Sequence, residues 1–193
     1  MATLYVASTE TFVGKSATCV ALLDRARRDG FAAGYLKPVS VSVTRTDTTV
    51  LDADAAFVQA HFALPDPLDT LAPVLLTPSV VEAVLAGQSP DFVRRLTVAY
   101  ARVARDRDLV LLEGANHWAE GSLVGLSTDQ VSDMLQAPVL LIARYRPPIT
   151  LDAILAVQRY LGDRLLGVII NSIDAPQLEF VRGRMVPFLE QRG

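Results

Sequence analysis

Residues 6–17, VASTETFVGKSA, carry an apolar run into a short polar loop and then into Gly14-Lys15-Ser16, which opens a helix-like segment. A strand that turns sharply into a helix leaves backbone N–H groups pointing into a concavity, and the helix dipole adds partial positive charge there. An anion is the natural occupant. Lys15 reaches phosphate oxygens as a point charge, Gly14 lets the backbone approach closely, and the Ser16 hydroxyl is placed to ligate Mg²⁺. These are the roles of a Walker A loop, G-x-x-x-x-G-K-[ST], with Thr9 standing where that pattern has its first glycine. TLYVA before the loop and ATCVALLDRARRDG after it, closing on Gly30 as a helix C-cap, supply the strand–loop–helix context that such a loop requires.

Working outward, the apolar runs alternate with helical patterns. Leu4–Ala7 reads as a strand, Lys15–Asp29 as a helix, and Ala32–Val39 as a second strand stopped by Pro38. SVSVTRTDTTV, residues 40–50, is polar and Thr-rich and reads as a mobile loop. Residues 51–62 have helical spacing in Leu51, Ala55, Val58 and Phe62. Further helices are expected near 79–86 and 91–105. Asp108–Glu113, DLVLLE, is an apolar run ending in an acid, suited to a strand buried on both faces of a parallel sheet. Helices at 128–136, 149–161 and 177–190 alternate with strands at 138–143 and 165–171. The pattern predicts a doubly wound α/β fold, a mainly parallel sheet with helices on both faces, in a single domain over residues 1–193.

In that fold ligands sit at the carboxyl ends of the strands. The candidate residues fall there: the first loop, Lys37 after the second strand, Glu113 after DLVLL, Arg144 after PVLLIA and Asn171 after LLGVII. Of the eighteen basic residues only two are lysines, Lys15 and Lys37; arginine serves everywhere else. The two lysines therefore mark places that need a compact ammonium rather than a planar guanidinium. Glu113 reads as a Walker B-type carboxylate, holding Mg²⁺ directly or through water, or as a helix N-cap. Asp54, with Asp52 on the same segment, offers a second carboxylate or a solvated helix face. Asn171 presents donors and an acceptor to a purine edge, or caps the turn that follows. His117 and Trp118 line a pocket or pack their own loop; with His61 the only other histidine, they make no zinc cluster.

The remaining chemistry is narrow. A net charge of -3 and no basic cluster beyond Arg25-Ala-Arg27-Arg28 argue against a nucleic-acid surface. Cys19, the single cysteine, fits the apolar pattern of the first helix as a core residue. No signal-peptide pattern or membrane-spanning apolar stretch is present, which predicts a cytoplasmic protein.

STETFVGKS, followed by GYLKPVS, LLEG and VIIN, resembles the dethiobiotin synthetase group of P-loop NTPases over nearly the whole chain, and shares its core with cobyrinic acid a,c-diamide synthases. In LYVASTE, DADAAFV and PVLLTP it looks closer to the dethiobiotin-synthetase-like front module of long phosphotransacetylases and DRTGG-domain proteins. The resemblance implies ATP and Mg²⁺ as cofactors. Thr11, Phe12, Val13, Gly14, Lys15, Ser16 and Ala17 would cradle the nucleotide; Ser16, Asp54 and Glu113 would hold the metal. Lys15 and Lys37 would act on the transferred phosphoryl group, and Asn171 would face adenine. Ser8 replaces the loop's leading glycine, Val41 stands where the synthetases have a substrate-binding serine, and Asn116-His117 replaces a glycine-rich substrate loop. The nucleotide half is thus better kept than the substrate half. Two functions follow: a nucleotide-sensing or regulatory module, or an ATP-dependent ligase that phosphorylates a small carboxylate or carbamate for attack by an amine. The resemblance also implies a homodimer, and a further strand or accessory domain where the chain stops at FLEQRG.

Overall fold

A computed structural model describes residues 1–45 and 50–192. Its centre is a five-stranded parallel sheet in the order β2-β7-β1-β8-β9, formed by β1 (Ala2–Ser8), β2 (Ala33–Leu36), β7 (Leu109–Glu113), β8 (Val139–Arg144) and β9 (Leu165–Asn171). Between β2 and β7 the chain makes β3 (Val39–Ser40), β4 (Val43–Arg45), β5 (Val50–Asp52) and β6 (Val74–Leu75) outside that sheet. The helices α1 (Lys15–Arg28), α2 (Ala53–Phe62), α3 (Leu68–Leu71), α4 (Pro78–Leu85), α5 (Phe92–Val103), α6 (Thr128–Leu135) and α7 (Ile149–Leu161) surround it. The doubly wound α/β expectation is borne out.

The order carries a consequence for chemistry. From β1 the chain crosses through α1 outward to β2, whereas β2 to β7, β7 to β8 and β8 to β9 all run the other way. Right-handed crossovers then put α1 and the later helices on opposite faces. β1 and β7 are hydrogen-bonded neighbours whose following segments diverge, so a crevice opens above their carboxyl ends. Val6 pairs with Glu113 in register, which sets the acid beside the start of the first loop.

The sheet is apolar for the expected reason. Val110, Leu111 and Leu112 of β7 and Leu141 and Ile142 of β8 are fully buried, as continuous apolar runs should be when helices cover both faces. β9 differs: it is an edge strand, and Leu166 and Ile169 remain exposed. Among the described residues no helix is long and apolar enough to cross a membrane.

Four local expectations are corrected. The strand read over 32–39 is two strands, because Pro38 has no N–H for the ladder. Lys37 N donates to Leu71 O, and β3 continues into a separate parallel pair with β6. The segment read as a mobile loop contains β4 and the first residue of β5, which pair antiparallel; its residues 46–49 lie outside the described residues. The helix read from Leu51 begins at Ala53, since Asp52 caps it by accepting from Ala55 N at 2.8 Å. The last helix, read over 177–190, is broken into a 3₁₀ turn, short α-helical pieces and a π turn at Val181–Met185. Pro187 has no N–H to give and Gly183 weakens the same turn, so regular i→i−4 bonding fails there.

Candidate functional site

The loop after β1 lies against a cavity of ≈ 650 Å³ lined by residues 10–17, by Ser42 and Thr44 near β4, by Asp54 at the start of α2 and by Asn116 beyond β7. Thr11, Phe12, Val13, Gly14, Lys15, Ser16 and Ala17, all expected there from sequence, are gathered at it. Phe12 and Gly14 adopt left-handed backbone (φ 57 and 95) with Val13 between them, the alternation that turns successive N–H groups to one side. A side chain at position 14 meets a second obstacle: a Cβ there would stand 2.8 Å from Asn171 Nδ2, which would have to shift.

Two ammonium groups meet three carboxylates around this cavity. Lys15 Nζ donates to Glu113 Oε1 at 2.8 Å, and Ser16 Oγ donates to the same oxygen at 2.7 Å. Tyr35 OH occupies the other oxygen at 2.9 Å, so the fully buried Glu113 has both oxygens engaged. Burial first, then the Glu113 charge, push the Tyr35 hydroxyl well above its ordinary range, and it stays a donor. The same two causes raise the Cys19 thiol, which is fully buried and inert. Lys37, 3% exposed, bridges Asp52 Oδ2 at 2.8 Å and Asp54 Oδ2 at 2.7 Å. Burial opposes its charge, but Asp52 and Glu113 outweigh that and raise its pKa. Burial likewise opposes charge on Asp54, and its bond to Lys37 more than compensates, lowering that carboxyl below its ordinary value. Asp52 also accepts from Ser40 Oγ at 2.5 Å.

Two positive and three negative side chains leave the cluster one charge negative. A polyphosphate alone would meet that excess, and an accompanying divalent cation would offset part of the repulsion. Ser16 Oγ and the Asp54 carboxylate line the cavity, with Glu113 behind them and bonded to Ser16; all are oxygen donors, which is the chemistry of Mg²⁺. Among the described residues no group of three or more His, Cys, Asp or Glu side chains forms a metal cluster by itself. The residues therefore fit a cation that keeps phosphate and water ligands, as Mg²⁺ does.

Asn171 does not line the cavity; its Nδ2 donates to Val13 O at 2.8 Å, beneath the loop. His117 packs its own loop, its Nδ1 accepting from Ala119 N at 3.1 Å, whereas Trp118 packs on α7, its ring 4.9 Å from that of Tyr160. Asn116 reaches across to Ser42, its Nδ2 donating to Ser42 Oγ at 2.9 Å. Tyr35 and Ser40 were not singled out by sequence. Tyr35 could have been found from spacing, since it stands two residues before Lys37 on the same strand face. Tyr35→Phe strands Glu113 Oε2 in a buried setting, and urea denaturation should show a loss of about 1–3 kcal/mol. An unchanged midpoint would mean that Glu113 does not depend on the phenol.

Comparison with known proteins adds kinship. A family model described as an AAA domain matches residues 2–191. The ATP-dependent dethiobiotin synthetase BioD of Cellvibrio japonicus is 29% identical over 181 residues, spanning 91% of this chain and 79% of that protein. The BioD of Xanthomonas campestris pv. campestris (strain B100) is 31% identical over 180 residues, spanning 91% and 80%. That of Xanthomonas oryzae pv. oryzae (strain PXO99A) is 31% identical over 202 residues, spanning 97% and 85%.

Proposed function

The chain belongs to the AAA-domain family of dethiobiotin synthetase-like P-loop NTPases, and from that premise we propose that it is an ATP-binding module that reports nucleotide state. Gly14, Lys15 and Ser16 would hold the phosphates, Ser16, Glu113 and Asp54 the Mg²⁺, and Lys37 would stand toward the outermost phosphate. Bound Mg²⁺ would supply charge neutralisation between phosphoryl oxygens. The observation that carries the sensing reading is the contrast between the two halves of the cavity. The phosphate side has its charged side chains in ion pairs, whereas Asn116 is tied to Ser42 across the side where an acceptor would enter. Sensing requires that ATP prefer one conformation or assembly state over another.

A ligase reading is favoured by Lys37. A phosphate loop needs one lysine; a second buried ammonium, bonded to Asp54 of the cavity lining, suits an acceptor carboxylate or carbamate, held in line for phosphorylation and then attacked by an amine. The relatives' names, ATP-dependent dethiobiotin synthetases, point the same way. We also read residues 1–193 as one domain and expect a homodimer. The experiment is calorimetric titration with Mg-ATP and Mg-ADP, light scattering with and without nucleotide, and ADP release across small dicarboxylates and diamines. Tight binding with a nucleotide-dependent change of assembly and no stimulated turnover is the expected result. Turnover stimulated by one acceptor class would replace the sensing reading by the ligase one.

A further inference from the structure

We infer that Asp54 is a carboxylate held in turn by Lys37 and by the metal, so that filling the metal site releases Lys37 toward the outermost phosphate while Asp52 keeps hold of it. The inference rests on the phosphate and Mg²⁺ reading of the cavity given above. Lys37 does not line the cavity, whereas Asp54, bonded to it at 2.7 Å, does. The Lys37 side chain is 4% exposed and that of Asp54 42%. The ammonium therefore lies behind a carboxylate, and its route to a phosphate opens when that carboxylate gives way.

The two acids on Lys37 are not equivalent, although they stand two residues apart. Asp52 is buried and has both oxygens engaged. Its Oδ1 accepts from Ala55 N at 2.8 Å as the cap of α2, and its Oδ2 accepts from Ser40 Oγ and, at 2.8 Å, from Lys37 Nζ. Turning Asp52 toward a metal would break the cap and strand the buried Ser40 hydroxyl. Asp54 lies in the first turn of α2, faces the cavity and reaches water, so it can change partner at little cost. A divalent cation attracts that carboxylate twice as strongly as an ammonium at the same distance, and it repels the Lys37 charge. Lys37 is a compact ammonium with three donors on a flexible stem. It can keep its bond to Asp52 and still turn a freed N–H to an outer phosphate.

The test uses the full chain with its lysine ε-carbons labelled with ¹³C. Lys15 and Lys37 are the only lysines, so two signals appear, and Lys37→Met identifies its own by removing it. Mg-ADP should move the Lys37 signal although ADP carries no outermost phosphate, whereas ADP in EDTA should leave it in place. In ligand-free Asp54→Asn the same signal should already stand near its Mg-ADP position. Calorimetric binding should agree. With Mg²⁺, Lys37→Met should weaken ATP about tenfold to hundredfold, and in EDTA by less than about threefold. Asp54→Asn should strengthen metal-free ATP relative to metal-free ADP by about fivefold to tenfold, and adding Lys37→Met should cancel that gain. A carboxylate that served only as a metal ligand would give no gain dependent on Lys37. If Mg-ADP leaves the Lys37 signal where it was, Asp54 serves both partners at once and the inference falls. An equal move with ADP in EDTA overturns it as well, since release would then not need the metal. Failure of the unaltered protein to bind ADP or ATP with Mg²⁺ would overturn the phosphate reading itself, and the exchange of partners with it.

Discussion

Lys15→Met should lower the stability of the ligand-free protein by about 3–5 kcal/mol, because it leaves the buried Glu113 carboxylate without its counter-charge. Lys15 Nζ lies 2.8 Å from Glu113 Oε1, and the side chains are 10% and 0% exposed, so water cannot take over the lost contact cheaply. For a chain of this length the loss corresponds to a melting temperature lower by roughly 10 °C. A phosphate-binding lysine on an open loop would give a different result: lost ligand affinity and little change in the free protein. The double variant Lys15→Met/Glu113→Gln separates the two roles. Removing both charges should return much of the stability, since the penalty lies in the unpaired charge rather than in the absence of the pair. Nucleotide affinity should stay lost in the double variant, because neither the ammonium nor the metal-side carboxylate is restored. A single variant as stable as the unaltered protein would show that the Lys15–Glu113 pair does not form in solution.

The fold was readable wherever one strong local signal sufficed. Continuous apolar strands such as DLVLL can be buried on both faces only in a helix-covered parallel sheet, and the Gly14-Lys15-Ser16 turn located the crevice. Pairing of short segments was not readable. β4 and β5 are three residues each, polar and Thr-rich, and are joined by their mutual ladder rather than by any hydrophobic period. Lys37 and Glu113 could be singled out because a lone lysine and a strand-end acid are conspicuous in composition. The atoms they contact could not. Tyr35, Ser40 and Asp52 take their roles from which atoms they meet across the site, at distances set by the turn after Pro38 and by the cap of α2. Asn171 shows the limit of the same reasoning. Position placed it at the ligand edge; the bond of its Nδ2 to Val13 O depends on how closely β9 packs against the loop, and the amide also carries a second N–H and a carbonyl oxygen.

Lys37→Met should do two separable things. A strand-end lysine on the surface would change stability by no more than about 0.5 kcal/mol. Lys37 is instead 3% exposed and bridges two carboxylates, one of them the buried Asp52. Asp52 keeps Ser40 Oγ and Ala55 N as donors and the Asp54 side chain reaches water, so the loss on removing the ammonium should fall at about 2–4 kcal/mol. This part of the effect depends on pH with a definite sign. The raised pKa of Lys37 means that its contribution is complete below its ordinary 10.5 and fades as pH rises through the higher folded value. The lowered pKa of Asp54 means that its contribution is complete above its ordinary 3.8 and fades as pH falls through the lower folded value. The stability difference between the unaltered protein and Lys37→Met, followed by urea denaturation, should therefore be flat through neutral pH and shrink at both extremes. The second effect is on ligand. If Lys37 stands toward the outermost phosphate, ATP affinity falls tenfold to hundredfold, the loss of one charge-assisted contact of roughly 1.5–3 kcal/mol, and ADP affinity falls less. Lys37→Arg should recover little, because a planar guanidinium does not fit the space an ammonium occupies between Asp52 and Asp54. Equal losses for ATP and ADP would place Lys37 away from the outer phosphate and leave it a structural counter-charge for α2.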